Sequence, residues 1–342
     1  MSPKNLNAQN KTHKFLLNYL KDPKILEEYK KFEKNLRLNE DFIVAVSGGP
    51  DSLALSFLTK IYSIKKNVDV KYFIVDHKLR NNSTKEAKFV KNLFKKLYSN
   101  LTVLTWFGKK PKSNIQSIAR NKRYELLVNK AKKLNISNIL LGHHKDDLIE
   151  NFFIRILRGS GLNGITSFDK KTNFHNINLI RPLLIFSKKD LVKITEKVFK
   201  TYVQDPSNKK NEFKRVKIRN FIKNLELEGL DKDKFDLTIK NLKFSNQSIK
   251  YFVEKNLKDN STIIDRNKFI ILNKDFFYQP EEVVFRSLSE VIKIVGKKHY
   301  PARGKKLDKL INHIKNNLLF KTTLGNCILK KVNNTIMISK EH

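Results

Sequence analysis

"IVAVSGGPDSLALSFL" occupies residues 43–58. Ile43 to Val46 are four apolar, strand-forming residues; Ser47, Gly48, Gly49, Pro50, Asp51 and Ser52 follow, and then a second apolar stretch begins. A proline just inside a helix start and a strand directly before it give a strand, a tight corner and a helix. A serine hydroxyl, backbone amides freed by glycine, a second hydroxyl and a helix amino terminus together make a cradle for phosphate oxygens. Unpaired amide donors and the helix macrodipole both favour an anion there. The loop is not a Walker A motif, which needs a longer glycine loop ending in lysine and Ser or Thr. A shorter cradle without that lysine argues against ordinary transfer of a terminal phosphoryl group. The bland alternative is a βα corner in which the glycines merely permit a tight turn; the two serines and the aspartate favour the phosphate reading.

Outward from this corner, residues 40 to 200 alternate short apolar runs with helical periodicity, the pattern of a parallel sheet covered by helices. Strands are expected at "FIVAVS" from 42, "VKYFIVD" from 70, "LTVLTWF" from 101, "NILLGHH" from 138 and "NLIRPLL" from 178, with helices at 84–98 and 114–134. Ser187 with Asp190 three residues on resembles a capping box opening another helix. Doubly wound sheets bind ligands at the carboxyl ends of their strands, where the strand order reverses. Beyond "QDPSNKKNEFKRVKIRN" at 204–220, residues 221–320 read mainly as helices. One carries Ile249, Phe252, Val253 and Leu257 on one face, and another runs from Pro280 to Gly296. "TTLGNCILKKVNNTIMISK" reads as a β-hairpin turning at Asn333 and Asn334. The expected fold class is α/β: a doubly wound, mostly parallel sheet followed by a mainly helical domain ending in a small β-hairpin. The expected domains are a helical extension (1–40), a nucleotide-binding catalytic domain (41–222) and the helical domain with its hairpin (223–342).

The 342 residues include 70 Lys and Arg against 33 Asp and Glu, a formal net charge of +37. An excess of this size favours polyanionic partners, although 58 of the 70 cations are lysine, which is also what a compositional drift toward lysine gives. Eight of the twelve arginines lie between Arg80 and Arg219, and a guanidinium kept where lysine is the default suggests a site that uses its planar fork. Cys327 is the single cysteine, so the chain builds no internal disulfide and no cysteine metal cluster, and a reducing, cytoplasmic setting fits. The amino-terminal forty residues have only short apolar runs interrupted by charge, giving no expectation of a signal peptide or membrane span.

"SGGPDS" resembles the phosphate loop of ATP pyrophosphatases, enzymes that cleave ATP between its α and β phosphates, pass AMP to a carbonyl oxygen and release pyrophosphate. Further motifs are "VDHKLR" at 75–80, "ARNKRY" at 119–124, "LGHHKDDLIEN" at 141–151, "RGSGLNGI" at 158–165, "IRPLL" at 180–184, and "DPSN" at 205 followed by "RVKIR" at 215. In order and spacing they are similar to the tRNA(Ile)-lysidine synthase family, strongly over 40–220 and more weakly at "YPARGKKLDKL" and "TLGNCIL". Asn151 departs from the threonine usual there. The resemblance implies an adenine-nucleotide alpha-hydrolase-like fold. It implies ligation of free L-lysine to C2 of the wobble cytidine of tRNA(Ile) with a CAU anticodon, through an adenylated base, with ATP as co-substrate and Mg²⁺. No membrane partner is expected, and a homodimer is left open.

The same residues carry individual expectations. Asp146 and Asp147 read either as helix-dipole partners, worth ~0.3–1 kcal/mol each, or as magnesium ligands; Asp51 with Asp147 is the expected metal pair. Asp51, Asp147 and His144 are the expected catalytic residues, and His143 and His144 suit nucleotide contact or proton transfer better than zinc. Asp76, His77, Arg120 and His143 join Ser47 to Ser52 as expected ATP or pyrophosphate contacts; for Asp76 a strand-end turn is the competing reading. Arg80, Arg123, Arg158, Arg181, Arg215 and Arg219 are expected to position tRNA or lysine. Rival functions are a tRNA thiolase, which the lone cysteine disfavours, an NAD or GMP synthetase, and a non-catalytic RNA-binding module.

Overall fold

The computed structural model describes residues 12–80, 82–108, 111, 113–204, 214–264, 269–298, 302 and 304–341. The chain divides into two compact units, 1–235 and 236–342. The first runs α1 (Pro23–Leu36), β1 (Phe42–Val46), α2 (Pro50–Lys66), β2 (Val70–Asp76), α3 (Ser83–Leu93), β3 (Leu101–Thr105), α4 (Ile115–Lys133) and β4 (Asn138–Leu141). It continues through α5 (Lys145–Ile156), α6 (Leu162–Ile165), β5 (Lys171–Phe174), β6 (Ile177–Ile180), α7 (Lys188–Phe199) and α8 (Lys214–Leu227). The six strands lie in the order β3-β2-β1-β4-β6-β5. All neighbouring pairs are parallel except the edge pair β5–β6, which is antiparallel. The chain steps outward from β1 to β3, then returns to place β4 on the other side of β1, so the order reverses between β1 and β4. That crevice is where such sheets bind ligands.

The central strands are apolar on both faces because helices cover both. Phe42, Val44 and Val46 pack with Leu53, Phe57 and Ile61 of α2 in one buried cluster, and Ile43 packs with Leu127 of α4 and Ile139 of β4 in another. "NILLGHH" stops being strand after Leu141, and "NLIRPLL" turns into a 3₁₀ segment at Pro182–Ile185, whose proline cannot donate to a ladder. The expected helix 84–98 is α3 continued by a 3₁₀ turn, Phe94–Leu97. β5 was not expected: it is a short, half-exposed edge strand joined to β6 through His175 and Asn176, both at positive φ. α8 packs Ile218 and Ile222 onto Ile149 and Ile154 of α5. The compact division falls at 235/236. "DPSN" at 205–208 lies outside the described residues.

A long helix, α9 (Lys232–Asn260), leads into the second unit, followed by β7 (Ser261–Ile264), β8 (Phe269–Leu272), α10 (Glu281–Val295), α11 (Gly304–Lys315), β9 (Lys321–Leu324), β10 (Cys327–Val332) and β11 (Thr335–Lys340). The hairpin turns at Asn333–Asn334, with Val332 opposite Thr335. It forms two strands of a five-stranded antiparallel sheet, β7-β8-β11-β10-β9. On α9, Val253 is buried and Leu257 packs against this unit's core, whereas Phe252 is exposed. α10 begins after Pro280 and ends at Gly296, as its punctuation indicates.

Candidate active site

Gly48 sits at φ +84°, and a Cβ there would lie 2.5 Å from Val90 Cγ2. Only glycine combines that backbone with that closeness. Gly49 caps α2 with extended backbone and Pro50 opens it. Buried Ser52 organises the corner: its Oγ accepts from the backbone N–H groups of Ser47 and Gly48 and from Ser47 Oγ, each at 3.1 Å, and donates to the Gly49 carbonyl at 2.9 Å. The Val203 N–H holds the Gly48 carbonyl at 2.9 Å. The loop is thus built before any ligand arrives, with the Ser47 side of the corner open to solvent.

Across the crevice, the register Ala45 to Leu141 brings Gly142 against the first turn of α2. A Cβ on Gly142 would stand 3.2 Å from Ser52 Cα. This close passage sets His144 beside Asp51. The His144 N–H donates to Asp147 Oδ2 at 3.0 Å. Its buried ring places Nε2 at 3.5 Å from Asp147 Oδ2 and 3.8 Å from Asp51 Oδ2, with Nδ1 at 3.5 Å from Asp146 Oδ2. Burial pulls the His144 pKa down, but Asp146, Asp147 and Asp51 together carry it above the ordinary histidine value. For Asp147 burial works upward, but the field of His144 and the hydrogen bond from its N–H win, leaving it below the usual carboxylate range. The three expected catalytic residues therefore meet around one imidazole.

Two lysines complete this cluster. Lys188, the first residue of α7, sets Nζ at 2.6 and 2.8 Å from the two oxygens of Asp51. Lys232 Nζ lies 2.7 Å from Asp146 Oδ1. Against the burial that would raise it, contacts to His144 and Lys232 hold Asp146 below the usual carboxylate range. Neither lysine is apparent in the sequence, because each arrives from an element far along the chain. Glu150 was also missed: it is buried one turn beyond Asp147, with Arg219 Nε at 2.5 Å. Its spacing from Asp146 and Asp147 on one helix is the signal that could have found it.

His143 rests edge-on against Phe168, its ring 5.3 Å away. Its pKa is pushed down to about 3, chiefly by burial and then by Arg181, Arg120 and Arg215, which outweigh the opposing Asp147. It is neutral at pH 7. Arg120 donates to Tyr124 Oη at 3.2 Å. Arg181 is buried over the Phe168 ring, with Nη1 donating to the Asp169 carbonyl and Nε buried without a partner. Arg215 is exposed, but its charge reaches Asp147 and His143. Arg219 is committed to Glu150.

Other expected residues stand apart from this cluster. Asp76 is buried with Oδ1 accepting from Lys78 N–H at 3.0 Å and Oδ2 from Thr84 Oγ1 at 2.7 Å, so it staples the turn after β2. Arg123 Nε donates to His77 Nε2 at 3.3 Å, and burial followed by Arg123 lowers the His77 pKa to about 4. Arg80 pairs with Glu86 at 3.1 Å, and Arg158 is exposed. Cys327 is buried in the second unit, where burial pushes its thiol up to about 11. It is a core side chain and not a nucleophile.

Among the described residues no group of three or more His, Cys, Asp and Glu is arranged to hold a metal, and no helix is long and apolar enough to cross a membrane. The acceptor-only oxygens of Asp51 and Asp147, both within 4 Å of His144 Nε2, still suit magnesium, which takes one or two carboxylates and completes its shell with water and phosphate.

Residues 21–226 match the family model of the PP-loop domain. The chain is 32% identical to a tRNA(Ile)-lysidine synthase of Orientia tsutsugamushi (strain Boryong) over 328 residues, covering 92% of this chain and 72% of that protein. It is likewise 32% identical to one of Wolbachia sp. subsp. Brugia malayi (strain TRS), over 89% and 71%. Among solved structures, the U34-tRNA thiolase NcsA from Methanococcus maripaludis superposes with a TM-score of 0.56 at 16% identity, covering 64% of this chain and 78% of that one. That likeness speaks for the fold alone.

Proposed function

The chain belongs to the tRNA(Ile)-lysidine synthase family, ligases that form a carbon–nitrogen bond, and from that premise we propose how its own residues carry the reaction. The cytosine C2 oxygen is a poor leaving group. It therefore attacks the α phosphate of ATP, the bond to the β phosphate breaks, and pyrophosphate departs. The ε-amine of free lysine then attacks C2, and AMP leaves with the former carbonyl oxygen. Lysine must shed a proton to be nucleophilic.

The observation that carries this reading is the meeting of the Ser47–Ser52 corner with the Asp51, His144 and Asp147 cluster at the β1/β4 crevice. The corner holds pyrophosphate through its hydroxyls and the α2 amino terminus. His144, whose pKa is pulled down by burial but raised by Asp146, Asp147 and Asp51, faces the same place, and in its protonated form it stabilises the charge that develops there; preorganised charge of this kind is usually the largest catalytic contribution. Asp51 and Asp147 would hold Mg²⁺, which supplies further neutralisation of the phosphates when bound. Neutral His143 can accept a hydrogen bond, and Arg120, Arg181 and Arg215 form its cationic surroundings. The acceptor is an anticodon-loop base of tRNA(Ile) with CAU, reachable because loop bases can be splayed from their stack. The basic surface and the second unit grip the tRNA backbone. A cytoplasmic setting follows from the substrates.

The test is pyrophosphate release by the pure protein with ATP and Mg²⁺. Release is expected with the CAU tRNA(Ile) and little with a transcript whose wobble base is changed. Equal release with both, or none with either, rejects the assignment, and a non-catalytic RNA binder gives none.

A further inference from the structure

The phosphate corner has no lysine of its own between Ser47 and Ser52, yet an ammonium stands on it. Lys188 lies 137 residues downstream of Asp51 and touches both of its carboxylate oxygens. Its backbone is fixed from three sides. Its N–H donates to Asp146 Oδ2 at 3.3 Å. Ser187, directly before it, caps α7 by accepting from the Asp190 N–H at 3.3 Å. Thr195 Oγ1, two turns on, donates to the Pro50 carbonyl at 2.7 Å and ties α7 to the start of α2. The side chain, in contrast, is 43% exposed on a flexible stem.

As a stabilising ion pair this contact is worth little, about 0–1 kcal/mol at such exposure. As a charge device it resolves a conflict in the corner. Asp51 occupies the first turn of α2, where an incoming polyphosphate would meet a carboxylate of its own sign. A lysine ammonium is a point charge with rotatable donors that serves carboxylate and phosphate alike. We propose that Lys188 is the cation of this phosphate corner: from its contact with Asp51 it turns to the oxygens of the departing pyrophosphate when ATP binds. The anchored backbone keeps it within reach of both partners. The inference rests on the phosphate reading of the corner and is independent of which RNA accepts AMP.

Two experiments decide it. The wild-type protein is treated with an acetylating N-hydroxysuccinimide ester, alone or with inorganic pyrophosphate or AMP, and acetylation is followed residue by residue by mass spectrometry, with pyrophosphate binding measured calorimetrically on the same samples. At about 100 times its Kd, pyrophosphate leaves about one site in a hundred empty, so acetylation of Lys188 is expected to slow at least about tenfold. Exposed Lys189 is the internal control and should not change, and AMP should protect neither. Pyrophosphate binding without protection of Lys188 overturns the assignment alone; no binding overturns the phosphate reading with it. In parallel, Lys188→Met is expected to lower kcat for tRNA-dependent pyrophosphate release about 10²-fold, as loss of one transition-state donor does, with an unchanged melting temperature and substantial rescue by Lys188→Arg. A folded Lys188→Met enzyme with wild-type kcat contradicts the proposal.

Discussion

At Gly48 the backbone holds φ +84° with Val90 and Val203 closing on the place of a side chain. Gly48→Ala is expected to destabilise the protein by about 1–3 kcal/mol from backbone strain, before the clash is counted, and to abolish ATP binding. Thermal unfolding and calorimetric titration with ATP check both. His143 gives a pH signature. Its folded pKa of about 3 lies below the unfolded value of about 6.5, so its contribution to stability is complete above that pH and is lost as pH falls toward 3. Between pH 6.5 and 4 this amounts to about 1.4 kcal/mol per pH unit. His143→Gln should flatten the pH dependence of the unfolding free energy, measured by urea titration, by that slope; an unchanged slope would show that the imidazole titrates freely. Gly48, Ser52 and the aspartates were legible in the sequence because a strand, a corner and a helix start sit within ten residues. Lys188 and Lys232 were not, since only the folded sheet brings them to Asp51 and Asp146.

Between α5 and α8 the contact of Glu150 with Arg219 joins two helices whose sequence separation hides their packing. Burial raises the Glu150 pKa and Arg219 opposes it. Arg219→Leu strands a buried carboxylate and is expected to cost toward about 3 kcal/mol, the lower end for a broken buried pair because Arg219 keeps some contact with water. The double variant Glu150→Leu with Arg219→Leu should recover most of that loss in denaturant titrations, and additive losses would contradict a coupled pair. Elements were readable where the pattern was long or apolar on both faces, as in β1, β2, α2 and α4. β5 escaped because Lys171–Phe174 is short, polar and at the edge, its turn marked only by His175 and Asn176 at positive φ. β7 and β8 escaped likewise: four-residue strands give too few alternations to set a period.

The whole molecule carries +37, and the sequence left open whether that charge works or merely reflects lysine drift. If the surface engages about six phosphates of tRNA, the slope of log affinity against log salt is about −4 to −5. A slope near zero would assign the excess lysine to composition alone. In the second unit the hairpin was legible from its Asn333–Asn334 turn, while the five-stranded sheet around it was not, because its strands come from segments as far apart as Ser261 and Lys340. Ligation of lysine to the wobble cytidine is tested most directly by incubating the protein with ATP, Mg²⁺, isotopically labelled lysine and tRNA(Ile) bearing CAU, then digesting the RNA and weighing its nucleosides. The account predicts that the wobble cytidine alone gains one labelled lysine with loss of water, with one AMP and one pyrophosphate released per event. An unmodified cytidine after ATP has been consumed, or label on any other nucleoside, would contradict it.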